Sequence, residues 1–133
     1  MLDHCKIIEV PKITDPRGNL AVIEGATLPY DIKRVYYLFD VPSDAYRGGH
    51  SHKDQQEFLI AVSGSFEVVL DNGTSKKRVM LNKPNKGLLI PTGIWRELEN
   101  FSSGAVCVVL ASDTYLESDY VRDYDEFLSL KRG

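Results

Sequence analysis

Short apolar runs broken by turn residues recur along most of the chain, and this rhythm limits the fold more than any other feature. Residues 6–10 are followed by Asp15-Pro16-Arg17-Gly18, and residues 20–24 by Gly25 and Pro29. Residues 32–39, 58–62, 66–70, 79–81, 88–90 and 105–110 continue the series, most of them rich in the β-branched and aromatic side chains that suit a pleated strand. Asp71-Asn72-Gly73 joins two of these runs, and Asn and Gly accept the positive φ of a tight hairpin. Many strands with short turns point to an all-β, antiparallel sandwich or barrel rather than to alternating strands and helices. The carboxyl-terminal stretch differs. Leu116, Tyr120, Tyr124, Phe127 and Leu128 recur at helical spacing among acids and Arg122, with Ser118 as a candidate amino-terminal cap. One short helix, or two, should pack outside the β body.

The chain has 133 residues, read as one domain over 1–133, of which 43% are hydrophobic and 26% charged. A chain of that length hides about two thirds of its surface on folding, so it needs no disulfide framework, and its composition excludes disorder. The formal net charge of −3 is not the basic footprint of a nucleic-acid binder, and Lys76-Lys77-Arg78 reads as a solvated hairpin arm. No stretch approaches the roughly 18 apolar residues that cross a bilayer. The start Met1-Leu2-Asp3-His4-Cys5-Lys6 has no secretory layout. Cys5 and Cys107 belong to no Cys-x-x-Cys pair and read as free thiols in a reducing, cytoplasmic setting.

Residues able to do chemistry concentrate in Arg47-Gly48-Gly49-His50-Ser51-His52-Lys53-Asp54-Gln55-Gln56-Glu57. In an extended strand, alternation points His50 and His52 to one face. His-x-His, then Glu57 after four intervening residues and Gly64 after six more, is the first motif of the cupin barrel, a jelly roll of antiparallel strands. Pro91, Gly93 and Asn100 match the second motif, whose metal-binding form has a histidine where this chain has Arg96. A metal site draws on imidazole and carboxylate lone pairs, whereas a guanidinium stays protonated and has none to give. His50, His52 and Glu57 still form a two-histidine, one-carboxylate set. A cation at position 96 would repel an ion held there, so metal-free acid–base chemistry is favoured, with Arg96 suited to an anion or a carbonyl oxygen. An isolated His-x-His would describe two ordinary strand histidines; its coupling to Glu57, Gly64, Pro91, Gly93 and Asn100 argues for a site. Residues 31–39 alternate, with Arg34, Tyr36 and Leu38 on one face and Val35, Tyr37 and Phe39 on the other. Arg34 and Tyr36 either line a wet cavity inside the barrel or face solvent while Tyr37 fills core.

Taken in order, Ile32-Lys33-Arg34-Val35-Tyr36-Tyr37, the segment from Arg47 to Lys53, Ile94-Trp95-Arg96-Glu97, Val109-Leu110-Ala111-Ser112 and Tyr120-Val121-Arg122-Asp123-Tyr124-Asp125 resemble the cupin-type sugar 3,4-ketoisomerases that act on dTDP-4-keto-6-deoxyglucose. The resemblance implies a cupin or jelly-roll barrel with a short C-terminal helix, no metal or other cofactor, and a dTDP-linked keto sugar as substrate. It implies a homodimer with exchanged strands, and an intramolecular oxidoreductase of deoxysugar biosynthesis serving surface glycans such as lipopolysaccharide or S-layer glycan. The C3–H of such a substrate is acidified by the neighbouring carbonyl, and histidine is a natural base for it near neutral pH. By resemblance His50 is that base, His52 shuttles or steadies a proton, and Tyr36 hydrogen-bonds the enediolate. Arg96 or Arg17 offsets the developing charge, and Arg34, Arg47 and Lys53 face the pyrophosphate. Trp95 and Glu57 join the expected substrate-binding residues, although Glu57 stands where many relatives carry Gln. Three other readings compete: a 3,5-epimerase of the same sugar nucleotide, a non-catalytic sugar-nucleotide-binding cupin, and a metal-dependent dioxygenase.

Overall fold

The computed structural model describes residues 2–133; Met1, part of the stretch read above as lacking a secretory layout, lies outside them. In chain order the strands are β1 (Lys6–Glu9), β2 (Lys12–Asp15), β3 (Gly18–Ala21), β4 (Arg34–Leu38), β5 (Tyr46–His52), β6 (Glu57–Ser63), β7 (Phe66–Asp71), β8 (Lys76–Leu81), β9 (Lys86–Ile90), β10 (Trp95–Glu99), β11 (Val106–Ala111) and β12 (Tyr120–Val121), followed by helix α1 (Tyr124–Arg132). One sheet has the order β1-β9-β6-β11-β4 and the other β12-β5-β10-β7-β8, while β2 and β3 pair only with each other. The pairings are antiparallel. This is the all-β, jelly-roll architecture expected of a cupin, with its helix at the carboxyl end.

Alternation builds the core between the sheets. Phe66, Val68 and Leu70 of β7 point inward and are each 0% exposed, facing Leu59, Ala61, Cys107 and Val109 of the other sheet. Strand β6 is apolar without alternation because both its faces are covered. Phe58 and Ile60 point outward with Leu89 and Leu110, and lie beneath Val10 and Leu28. Full burial of such side chains contributes about 1.5–3 kcal/mol each. Two glycines are required by geometry. Gly73 has φ +95 in the turn between β7 and β8, and Gly64 has φ +65 with Ser102 and Ala105 too close for a Cβ.

Strands β2, β5 and β10 lie outside the apolar runs read from sequence, because they carry glycine, charge or histidine among their side chains, and β12 lies within the stretch read as helical. The carboxyl end departs further from the expectation. Residues 116–128 do not form a continuous helix: a 3-10 turn at Glu117–Asp119 leads into β12, and α1 begins only at Tyr124. Ser118 is exposed and caps nothing; the cap is Asp123, whose carboxylate accepts the N–H groups of Asp125 and Glu126 at 2.8 and 3.3 Å. Pairing of Tyr120 and Val121 with His52 and Ser51 of β5 overrides the helical period. Asp125 and Glu126 in the first turn and Lys131 and Arg132 in the last complement the helix dipole. Asp123→Ala should lower unfolding stability by about 1 kcal/mol, whereas Ser118→Ala should leave it within about 0.5 kcal/mol. Urea denaturation monitored by circular dichroism checks both, and the reverse ranking would contradict this helix boundary.

Candidate active site

A cavity of about 230 Å³ opens between the two sheets. Strand β4 contributes Arg34 and Tyr36, β6 contributes Glu57, and β11 contributes Val109. From the opposite sheet come Arg47 and His50 of β5, Arg96 of β10 and Tyr120 of β12. Register makes these side chains converge. Arg96 pairs directly with His50 across β10 and β5, and Ala111 of β11 lies between Arg34 and Glu57, where its small side chain leaves room for both. Arg34 and Tyr36 therefore face the cavity, and Val35, Tyr37 and Phe39 face outward at 55%, 60% and 59% exposure.

The Glu57 carboxylate is the hub. It is 2% exposed, its Oε1 accepts Arg96 Nη1 at 2.6 Å, and its Oε2 accepts the Tyr36 hydroxyl at 2.7 Å. His52 Nε2 and Arg34 Nη2 stand 3.5 and 3.8 Å from the same Oε2. Burial alone would raise the Glu57 pKa, but His52, Arg96 and Tyr36 stabilise the anion and bring it down to about 2. Tyr36 moves the other way: burial and the neighbouring Glu57 charge push its phenol well above the ordinary value. Its proton is committed to Glu57, which leaves its lone pairs for a hydroxyl donor in the cavity.

His50 lines the cavity with a buried Nε2 that has no protein partner. Burial, the Arg96 charge and His52 hold its pKa down to about 3, so the imidazole is neutral at physiological pH. Its ring meets His52 edge-on at 4.8 Å and Tyr120 at 5.0 Å. Behind it His52 is 1% exposed, and its Nδ1 lies 2.9 Å from the Asp119 carboxylate. Arg96 Nε donates to the Ile94 carbonyl at 3.2 Å, while Nη2 is left unpartnered. The site thus holds a neutral base, an immobilised guanidinium with a spare donor, and a tyrosine–carboxylate pair.

The structure brings His50, His52, Tyr36, Glu57, Arg96, Arg34 and Arg47 together as the sequence suggested. Four expected site residues do not line this cavity: His52 stands just behind it against Glu57, and three others lie elsewhere. Trp95 precedes Arg96 by one residue, so alternation sends it to the outer face, where it packs with Val121 and Phe127 under α1. Lys53 lies in the exposed turn beyond β5. Arg17 sits at the tip of the β2–β3 hairpin, its side chain 89% exposed and paired with Asp15 at 2.7 Å. Asp119 and Arg122 belong to the site's surroundings but were not singled out from sequence. The helical reading of residues 116–128 concealed them, although the block from Tyr120 to Asp125 carried the signal.

His50, His52 and Glu57 place one ligand atom each within 4.8 Å of the others. That donor set does not fit a cation. Arg96 occupies Glu57 Oε1, and its charge stands where a further ligand would be needed. Removing the guanidinium should have two effects. Arg96→Met takes the nearest cation from a buried carboxylate, which costs up to about 3–5 kcal/mol, and it removes one cause of the low His50 pKa, which should rise in an NMR titration.

Stability should also depend on acid. His50 falls from 6.5 unfolded to about 3 folded, and Glu57 from 4.5 to about 2. Between each pair of values the unfolded chain takes up a proton that the folded chain refuses, so stability is lost as pH falls. Melting temperature should decline from pH 6.5 downward, and His50→Asn should flatten the segment between 6.5 and 4.5. An unaltered slope in that variant would contradict the neutral state assigned to His50.

Comparison with known proteins gives a consistent picture. The chain is 44% identical over 123 residues to the TDP-4-oxo-6-deoxy-α-D-glucose-3,4-oxoisomerase of Aneurinibacillus thermoaerophilus, covering 92% of this chain and 88% of that one. It superposes on a 3,4-ketoisomerase from Helicobacter canadensis with a TM-score of 0.94 at 45% identity, over 97% of this chain and 98% of the other. The sugar 3,4-ketoisomerase QdtA from Thermoanaerobacterium thermosaccharolyticum, solved with TDP, gives 0.96 at 41% identity over 99% and 97%. A mutant of that enzyme has been solved with TDP-4-keto-6-deoxyglucose. The model of the family described as FdtA: WxcM-like, C-terminal matches residues 3–132, which include every strand that lines the cavity, and this chain belongs to that family.

Proposed function

We propose that this chain is a sugar-nucleotide 3,4-ketoisomerase acting on dTDP-4-keto-6-deoxyglucose in deoxysugar biosynthesis. The observation that carries the chemistry is a neutral His50 with a free Nε2 placed directly across the sheet from Arg96. His50 takes the proton from C3, the C3–H electron pair forms the C3–C4 double bond, and negative charge moves to O4. Arg96, buried and with its spare Nη2, offsets that charge. The same guanidinium that weakens His50 as a base stabilises the enediolate, so the loss of basicity is offset as the imidazolium–enediolate pair forms. The proton returns to C4 while the O3 hydroxyl proton passes to O4, leaving a ketone at C3. Tyr36 and Glu57 are placed to receive and relay that hydroxyl proton, and His52 steadies the charge beside them.

The enclosed volume is below the roughly 300 Å³ at which small-molecule pockets begin, so the cavity encloses the sugar and leaves the nucleotide at its mouth. Arg34 and Arg47 suit the diphosphate there. The acting form is a homodimer that exchanges strands. Among the described residues the β2–β3 hairpin pairs with no other strand, and it exposes Ile13 and Leu20 at 61% and 57%. Strand β4 is a sheet edge with an apolar outer face, a surface that folded proteins cover. Exchange of that hairpin would also give Arg17 a route to the partner's site. The buried free thiols Cys5 and Cys107 suit the reducing cytoplasm. Among the described residues no helix is long and apolar enough to cross a membrane.

Proton NMR of chelator-treated protein with dTDP-4-keto-6-deoxyglucose in D2O tests the reaction. A 3-keto product with deuterium at C4 is expected, and His50→Asn should reduce its formation at least 100-fold, in line with general-base catalysis. Deuterium at C3 and C5 with the ketone retained at C4 would assign the 3,5-epimerase instead. Binding without exchange would leave a non-catalytic cupin, and activity restored only by a metal would overturn the metal-free mechanism.

A further inference from the structure

Asp119 takes no part in the cavity lining, yet it is 4% exposed and makes a closely organised set of contacts. It closes the 3-10 turn Glu117–Asp119, immediately before β12 pairs with β5. Its Oδ2 lies 2.9 Å from His52 Nδ1 and accepts the Gln55 N–H at 3.3 Å, while Oδ1 accepts the Asp54 N–H at 2.6 Å. The Asp119 carbonyl accepts the Lys53 N–H at 3.0 Å. The turn after β5 is thereby wrapped around one carboxylate.

We infer, resting on the proton-handling role proposed for His52, that Asp119 is a positioning residue that keeps a hydrogen on His52 Nδ1 and so presents Nε2 to Glu57. An ionised carboxylate can only accept, so the imidazole nitrogen facing it must donate. With Nδ1 thus occupied, the nitrogen left for proton exchange is Nε2, buried without a hydrogen-bond partner 3.5 Å from Glu57 Oε2. Glu57 in turn holds the Tyr36 hydroxyl and the Arg96 guanidinium. Asp119, His52, Glu57 and Tyr36 therefore form a continuous line from a buried backbone-anchored carboxylate to the cavity. Packing alone would not need this arrangement, because the backbone N–H groups of Asp54 and Gln55 would be satisfied by an asparagine oxygen or a water. An anion at this position keeps the hydrogen on Nδ1 and leaves Nε2 as the nitrogen that exchanges a proton with Glu57.

Long-range ¹H–¹⁵N correlation spectra of the unmodified, ¹⁵N-labelled protein read the tautomer without any substitution. A hydrogen on His52 Nδ1 is expected; an Nδ1 without one would overturn the inference while leaving the histidine chemistry intact. Asp119→Asn retains an oxygen for the Asp54 N–H but turns an amide toward the ring. It should remove the Nδ1 hydrogen and lower kcat about 10–100-fold, with KM within about threefold. The double variant with His52→Asn should be no slower than His52→Asn alone, the non-additivity of two residues acting as one unit. Loss of activity in Asp119→Asn with the tautomer unchanged, or with KM alone affected, would make Asp119 a purely structural residue. Full activity in His52→Asn would instead overturn the reading of His52 on which the inference depends.

Discussion

A single ionised carboxylate buried between two sheets organises this molecule. Glu57 opens β6 in the middle of one sheet, and its anion survives burial only because cations and donors reach it from several elements. Arg96 comes across from β10, Tyr36 and Arg34 from the edge strand β4, and His52 from β5. Arg96 and His52 reach Glu57 across the gap between the sheets, while Tyr36 and Arg34 approach it from its own sheet, so the cluster ties the two sheets together at this end. A pair that replaced Glu57 and Arg96 with apolar residues would pack as well, and in many proteins better. What it would lose is the oriented guanidinium and the tyrosine proton that the cavity uses.

The same carboxylate makes the chemistry of His50 intelligible. Arg96 neutralises Glu57, yet its charge reaches the imidazole opposite and, with burial, keeps it unprotonated. A poor base next to a strong cation is a coherent design when the product of proton abstraction is an anion, because the ion pair is stabilised as a unit. Nothing in this logic needs a metal ion. In the proposed reaction the guanidinium would take the electrostatic role of a Lewis acid while hydrogen-bonded to the carboxylate that would otherwise be available as a ligand.

Two-residue alternation, applied strictly, sorts the side chains of the site from their neighbours. Arg96 and Trp95 are adjacent in sequence and lie on opposite faces, one in the cavity and one beneath α1. Tyr36 and Tyr37 divide in the same way, and the outward set with Val35 and Phe39 leaves an apolar stripe along the edge of its sheet. The cavity-facing and apolar outward sides are thus opposite faces of one strand, and a one-residue slip of β4 would exchange them.

From sequence alone the strand rhythm, the His50–His52 pair, the Glu57–Gly64 spacing and the arginine at position 96 were legible, because alternation and turn chemistry act over a few residues. Those local rules determined the all-β class and the metal-poor character of the donor set. The face of Arg34 and Tyr36 stayed open until the packing of the second sheet showed that their side faced a cavity. The helical period of residues 116–128 misled for a related reason: pairing of Tyr120 with His52 contributes more than local periodicity, and it carries Asp119 into contact with a residue 67 positions earlier. Contacts of that range are selected by sheet order and register, which no short stretch of sequence encodes. Only the tertiary structure therefore decided which carboxylate stands behind the histidine, and which expected arginine lies outside the cavity.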